Sequence, residues 1–238
     1  MARRLLFVAT LVLAPPAGAA MAETEQVGRL IARRTNDLRA ENGLARLQAD
    51  AALERAAEGF ARYMARTDRY GHAADGSQPA DRAQAGGYEY CLVSENISYQ
   101  FHSDGFATEE LARRFVEGWK SSPGHRRNML EPDVVHMAEA VARSARTGRY
   151  YAVQMFGRPR DRSIEFRIAS IARGPVRYRI DSEDFTLGSG QERVHTVCKP
   201  ATVTFEDAAN AEGRTFRPSH GDRLHVEGDR RLVVRTGR

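Results

Sequence analysis

The chain has 238 residues, 42% hydrophobic and 28% charged, with 20 glycines and two cysteines. That composition excludes a disordered, collagen-like or coiled-coil chain. Two cysteines are too few for a disulfide-stapled scaffold or a thiolate zinc site, yet enough for one bridge. After the first twenty residues no run of about 18 apolar residues offers a membrane span, and a net charge of +5 is a mild excess whose placement decides its meaning.

Arg3 and Arg4 lead into a mostly apolar run, Leu5 to Ala14, followed by small residues around Pro15 to Ala22. A basic head, an apolar middle and an A-x-A end read as a secretory signal peptide over residues 1–22, with cleavage before Glu23. The expected location is therefore secreted or periplasmic. From Glu23 to Gly157 helical and strand-like segments alternate. Gln26 to Asn42 carries Leu30, Ile31 and Leu38 at helical spacing and stops at Gly43. Asp50 is placed to cap a second helix whose apolar face is Leu53, Ala56, Ala57, Phe60, Ala61 and Met64. Gly71 to Gly87, rich in small and polar residues, reads as a long loop. Leu92 to Gln100 reads as a strand. A third helix opens at Thr108, buries Leu111, Phe115 and Trp119, and ends near Ser122 because Pro123 disfavours helical geometry just before it. Val134–Ala142 and Tyr150–Phe156 read as strands.

After Gly157 the pattern changes. Short β-rich runs recur between turn signals at Ser163–Ala172, Val176–Ile180, Asp184–Leu187, Arg193–Val197, Thr202–Phe205, Thr215–Arg217, Arg223–Val226 and Leu232–Arg235. That spacing predicts a small antiparallel sandwich or barrel. The charge divides as well: residues 23–157 hold 18 basic and 19 acidic side chains, and residues 158–238 hold 16 and 12. Arginines spaced along strands read as solvated faces rather than as a nucleic-acid stripe, so no nucleic-acid partner is expected.

Three clusters in the first half could carry chemistry: Tyr70-Gly71-His72, Ser94-Glu95-Asn96-Ile97, and Trp119 through Asn128 with His125 inside it. Two histidines and a carboxylate suit a divalent metal. The same trio suits proton transfer, with Glu95 orienting a histidine, and each residue taken alone also suits a structural role. Asn96-Ile97-Ser98 is a formal glycosylation sequon. Cys91 and Cys198 lie one in each half, and in an exported protein two lone cysteines favour pairing with each other over two buried thiols.

The ordered set Asn36-x-x-Arg39, Gly43-Leu44, Leu47-x-x-Asp50-x-x-Leu53, His72, Gly87-Tyr88, Glu95-Asn96-Ile97, Trp119-x-x-Ser122-Pro123-Gly124-His125-Arg126-x-Asn128 and Gln154-x-Phe156-Gly157 resembles a CAP domain. That is the family of cysteine-rich secretory, antigen 5 and pathogenesis-related proteins, here in its bacterial form. The resemblance implies a three-layer α-β-α sandwich over residues 23–157; with the all-β sandwich or barrel-like module that the strand spacing predicts over 158–238, which has no counterpart in the core family, the expected fold class is α+β. The resemblance also implies a groove faced by His72, Glu95 and His125, which in some members holds a divalent metal such as zinc. The family's second glutamate is missing, since Lys120, Ser121 and Ser122 follow the tryptophan, and Met137-Ala138-Glu139-Ala140-Val141 only partly keeps a strand of small residues. The leading expectation is a groove that binds a small-molecule or lipid-like ligand. A metal-assisted hydrolase with Glu95 as base, and a cell-envelope polymer bound by the basic module, are the competing ones.

Overall fold

The computed structural model describes residues 23–206 and 215–235; the leader expected over residues 1–22 lies outside the described residues. The first half runs α1 (Thr24–Glu41), β1 (Gln48–Ala49), α2 (Ala51–Thr67), α3 (Pro79–Ala85), β2 (Tyr90–Gln100), α4 (Thr108–Ser121), α5 (Pro123–Met129), β3 (His136–Arg143) and β4 (Tyr150–Pro159). Helix α1 ends where Gly43 takes φ +71°, which lets the Gly43 and Leu44 amides turn back onto the Ala40 and Arg39 carbonyls. Asp50 caps α2 as its position suggests, accepting from the backbone N–H groups of Ala52 and Leu53 at 2.8 and 3.0 Å.

The four strands lie in the order β1-β3-β4-β2. Central β4 is antiparallel to both neighbours, and β1 pairs with β3 in parallel over two residues only. One face of the sheet packs on α1, α4 and α5 through Ile31, Leu111, Phe115, Trp119 and Phe156. The other packs on α2 and α3 through Leu53, Phe60, Met64, Tyr151 and Met155. Alternating side chains of one sheet thus feed two separate cores, which makes the three-layer sandwich.

The stretch expected to be one long loop contains α3. Pro79 stands at its first turn, and Gln78 and Asp81 form a reciprocal capping box. Its C-terminal neighbours Gly87 and Tyr88 return the chain to β2. Gly157, two residues before the end of β4, faces the Tyr88 ring so closely that a Cβ would stand 2.6 Å from it. Tyr88 is 4% exposed and its hydroxyl is hydrogen-bonded to His136 Nδ1, so the ring has little freedom to withdraw. Gly157→Ala is expected to destabilise the protein by about 1–3 kcal/mol through overpacking. Thermal unfolding checks this; an unchanged melting temperature would mean that the Tyr88 ring yields freely.

The second half is a short 3-10 turn (Arg160–Arg162) and then β5 (Ile164–Ser170), β6 (Val176–Ile180), β7 (Glu183–Leu187), β8 (Glu192–Val197), β9 (Val203–Phe205), β10 (Thr215–Phe216), β11 (Arg223–Val226) and β12 (Leu232–Arg235). These form two four-stranded sheets, β10-β9-β6-β7 and β12-β11-β5-β8. Phe166, Ile168, Tyr178, Val203, Phe205 and Leu224 fill one core. The module is a sandwich rather than a barrel, and it is not wholly antiparallel: β5 and β11 run parallel. Several links among the described residues join it to the first half. Cys91 and Cys198 form a disulfide with Cα atoms 5.3 Å apart. Lys199 Nζ meets Glu131 Oε2 at 2.6 Å, and the Arg160 amide donates to the Glu89 carbonyl.

Candidate functional site

The three expected residues come from three elements that meet at the β2 edge of the first sheet. Glu95 is on β2, His72 is in the turn after α2, and His125 is on the first turn of α5. Side chains, rather than another strand, cover this edge. Asn128 Nδ2 donates to the Glu95 carbonyl at 3.3 Å, and Trp119 Nε1 and the Tyr70 hydroxyl both donate to the Ile97 carbonyl at 3.2 Å. Unpaired strand edges invite unwanted pairing, and here the motif residues themselves close it. Arg39 works in the same way elsewhere: buried to 1% exposure, its guanidinium holds the carbonyls of Ala45, Met129 and Glu131 and so fixes the far end of α5.

Glu95 is the buried centre of the site. Its two oxygens accept from Arg82 Nη2 at 3.0 and 2.8 Å, and Oε1 also stands 2.8 Å from His72 Nδ1. Arg82 comes from α3 and was invisible as a site residue in the sequence. It is also held by Asp75 Oδ1, the Ser77 and His72 carbonyls, and the face of Phe60 at 3.6 Å. A carboxylate on one ring nitrogen fixes the tautomer and turn of an imidazole, so His72 keeps Nδ1 inward and Nε2 outward. His125 is half-buried, and its ring has no hydrogen bond among the described residues. Desolvation, and secondarily the neighbouring His72, lower its pKa and so favour the neutral ring.

Among the described residues no group of three or more His, Cys, Asp or Glu side chains is placed to hold a metal ion. The oxygens of Glu95 face Arg82 and His72. The donor set fits a metal only as two imidazoles, one oriented and one unpartnered.

Behind the site a row of buried polar side chains crosses the sheet. Asn96, Gln154 and Glu139 stand opposite one another on β2, β4 and β3. Asn128 Nδ2 donates to Asn96 Oδ1 at 2.9 Å. Asn96 Nδ2 donates to Gln154 Oε1 at 3.3 Å and to the His125 carbonyl at 3.2 Å. Gln154 Nε2 donates to Thr35 Oγ1 at 2.9 Å and Glu139 Oε1 at 3.2 Å. Asn96 is fully buried with both amide atoms bonded, so the sequon at Asn96 is closed to modification.

The family model described as the cysteine-rich secretory protein family, CAP, matches residues 32–156, just over half of the chain. The chain belongs to the CAP family. The membrane protein YlbC of Bacillus subtilis is 32% identical over 118 residues, which are 49% of this chain and 32% of that protein. The chain therefore spans about a third of the length of this curated relative. An outer surface protein of Borrelia burgdorferi is 19% identical with a TM-score of 0.50, over 58% of this chain and 99% of that one. An extracellular SCP-domain protein of Bacillus anthracis is 27% identical with a TM-score of 0.46, over 57% and 41% of the two chains. The match to the Borrelia protein shows the shared fold alone. No helix among the described residues is long and apolar enough to cross a membrane.

Proposed function

We propose that this CAP protein is exported, secreted or periplasmic, and acts as a binding protein whose β2-edge site takes a small-molecule or lipid-like ligand. A divalent metal such as zinc is one occupant, held by His72 Nε2 and the His125 ring. The observation that carries this is the buried Glu95 anchoring His72 Nδ1 at 2.8 Å, which turns the other nitrogen outward beside an unpartnered imidazole. When bound, the metal supplies a positive centre with positions open to ligand or water. Typical catalytic zinc has three protein ligands, so a two-imidazole site predicts weak binding. Tyr70 and Tyr99, 48% and 44% exposed and packed edge to face at 5.1 Å, offer an apolar wall close to His72.

The hydrolase reading draws less support, because a base must reach a water and Glu95 is 5% exposed with both oxygens on Arg82. The envelope-polymer reading is weakened by the module's own pairing: Arg167, Arg179 and Arg231 each meet a carboxylate on the same module. Titration calorimetry with zinc on wild type and His125→Ala tests the metal. Saturable binding is expected for wild type, weakened at least about tenfold by the loss of one of two ligands. Equal affinity in the two proteins, or no binding by wild type, overturns it.

A further inference from the structure

The opposite edge of the same sheet is left open. Strand β1 pairs Gln48 with His136 and Ala49 with Met137, and then the chain turns at Asp50 into α2. Beyond that point Ala138–Arg143 pair with β4 on one side. On the other side no backbone or side-chain group of the described residues bonds to them. Nothing here matches the Asn128, Trp119 and Tyr70 donors that close the β2 edge.

A cleft of about 530 Å³ continues the line of β1 along this open edge. Its floor is Ala138 to Ala142, its walls include Ala32 of α1 and Ala61 of α2, and Ala49 stands at its head. The side chains of the floor are small, Gly28 of α1 lies against the Glu139 carbonyl, and a strand beside that floor would run about 16 Å. The shape is that of the strand β1 would be if it were longer. The walls also carry charge. Glu25 pairs with Arg29 and Glu58 with Arg62, one turn apart on each helix. Glu54 and Glu139 have no cationic partner among the described residues. Glu139 holds Gln154 with one oxygen. Desolvation chiefly, with Glu54 adding and Gln154 opposing, pushes its carboxyl up to about 8. An arriving cation would relieve both carboxyl groups.

We propose that this cleft takes an extended segment of a partner polypeptide as an added strand beside β3, with a lysine or arginine of that segment meeting Glu54 and Glu139. Main-chain bonds would give affinity and the acidic pair selectivity. A second copy of this chain is a poorer occupant, because it would bring these carboxyl groups against their own copies. The proposal goes beyond the β2-edge reading and does not rest on it.

The probe is a fluorescein-labelled Val-Lys-Val-Lys-Val peptide, with Val-Glu-Val-Glu-Val and a Lys peptide N-methylated at alternate amides as comparisons. Anisotropy should show saturable binding of the Lys peptide alone, and hydrogen exchange should slow within residues 138–143. The double variant Glu54→Gln, Glu139→Gln should bind at least about tenfold more weakly. Ala32→Phe, which fills the cleft from α1, should abolish binding while the far-UV spectrum stays unchanged. No saturable binding by wild type, equal binding of the N-methylated peptide, or indifference to the carboxyl substitutions overturns the proposal. So does a wild-type dimer in sedimentation that Ala32→Phe dissociates, which would assign the edge to a second copy. The N-methylated peptide keeps the test decisive if Ala32→Phe misfolds.

Discussion

Replacing both Cys91 and Cys198 with serine is expected to lower stability by about 4–5 kcal/mol and the melting temperature by roughly 8–20 °C. The bridge closes 107 residues of chain, and a loop of that length holds back much of the conformational entropy of the unfolded state. Its position adds to the effect. Cys91 is the second residue of β2, the strand that carries Glu95 four residues later, and Cys198 directly follows β8 of the sandwich. Without the bridge, the Lys199–Glu131 pair and the Arg160 amide bond are left among the links between the two halves. Calorimetric melting of the double-serine variant, compared with oxidised wild type, measures the change. A shift below about 2 °C would show that the unfolded chain is already confined by other means.

Glu95→Ala is expected to cost about 3 kcal/mol, at the lower end of the range for breaking a buried ion pair. The pair is dry: the Glu95 side chain is 0% exposed and that of Arg82 is 7%. Alanine would strand a guanidinium in the core, although Asp75 at 3.1 Å still offsets part of its charge. The damage reaches His72, whose Nδ1 loses its anchor. A double-mutant cycle with Arg82→Met separates the two effects. The double variant should be less destabilised than the sum of the singles, because no buried charge is left without a partner. Urea unfolding gives the energies, and the imidazole signals of His72 report its freed rotation. Additive losses would mean that the two side chains do not act as a pair.

The helices and strands were legible where burial follows a simple period. The α2 face Leu53, Ala56, Ala57, Phe60, Ala61 and Met64 is buried residue for residue, and all eight β-rich runs after Gly157 are strands. Helix α3 was hidden because it is short and flanked by Gly71, Gly76, Gly86 and Gly87; Gln78-Pro79 with Asp81 was the signal that could have revealed it. The parallel pairing of β5 with β11 joins residues 56 apart, Arg167 and Arg223, and no local feature sets the direction of so distant a pairing. At the site, His72, Glu95 and His125 were legible through the ordered motifs. Their division of labour was not. Arg82 looks like any loop arginine until Asp75, Ser77, Glu95 and Phe60 surround it.

The polar row across the sheet has a direction. From Asn128 to Asn96, Gln154 and Glu139, every amide gives its N–H toward Glu139, and Asn96 and Gln154 each take one from behind. Hydrolysis of any of these amides to the acid would keep the shape and turn a donor into an acceptor, setting oxygen against oxygen in a dry interior. Shape alone therefore does not make a substitution harmless here. Asn96 and Gln154 are both fully shielded from water, the reagent of that hydrolysis. Their burial, besides holding the sheet together, shields these two amides from direct attack by water.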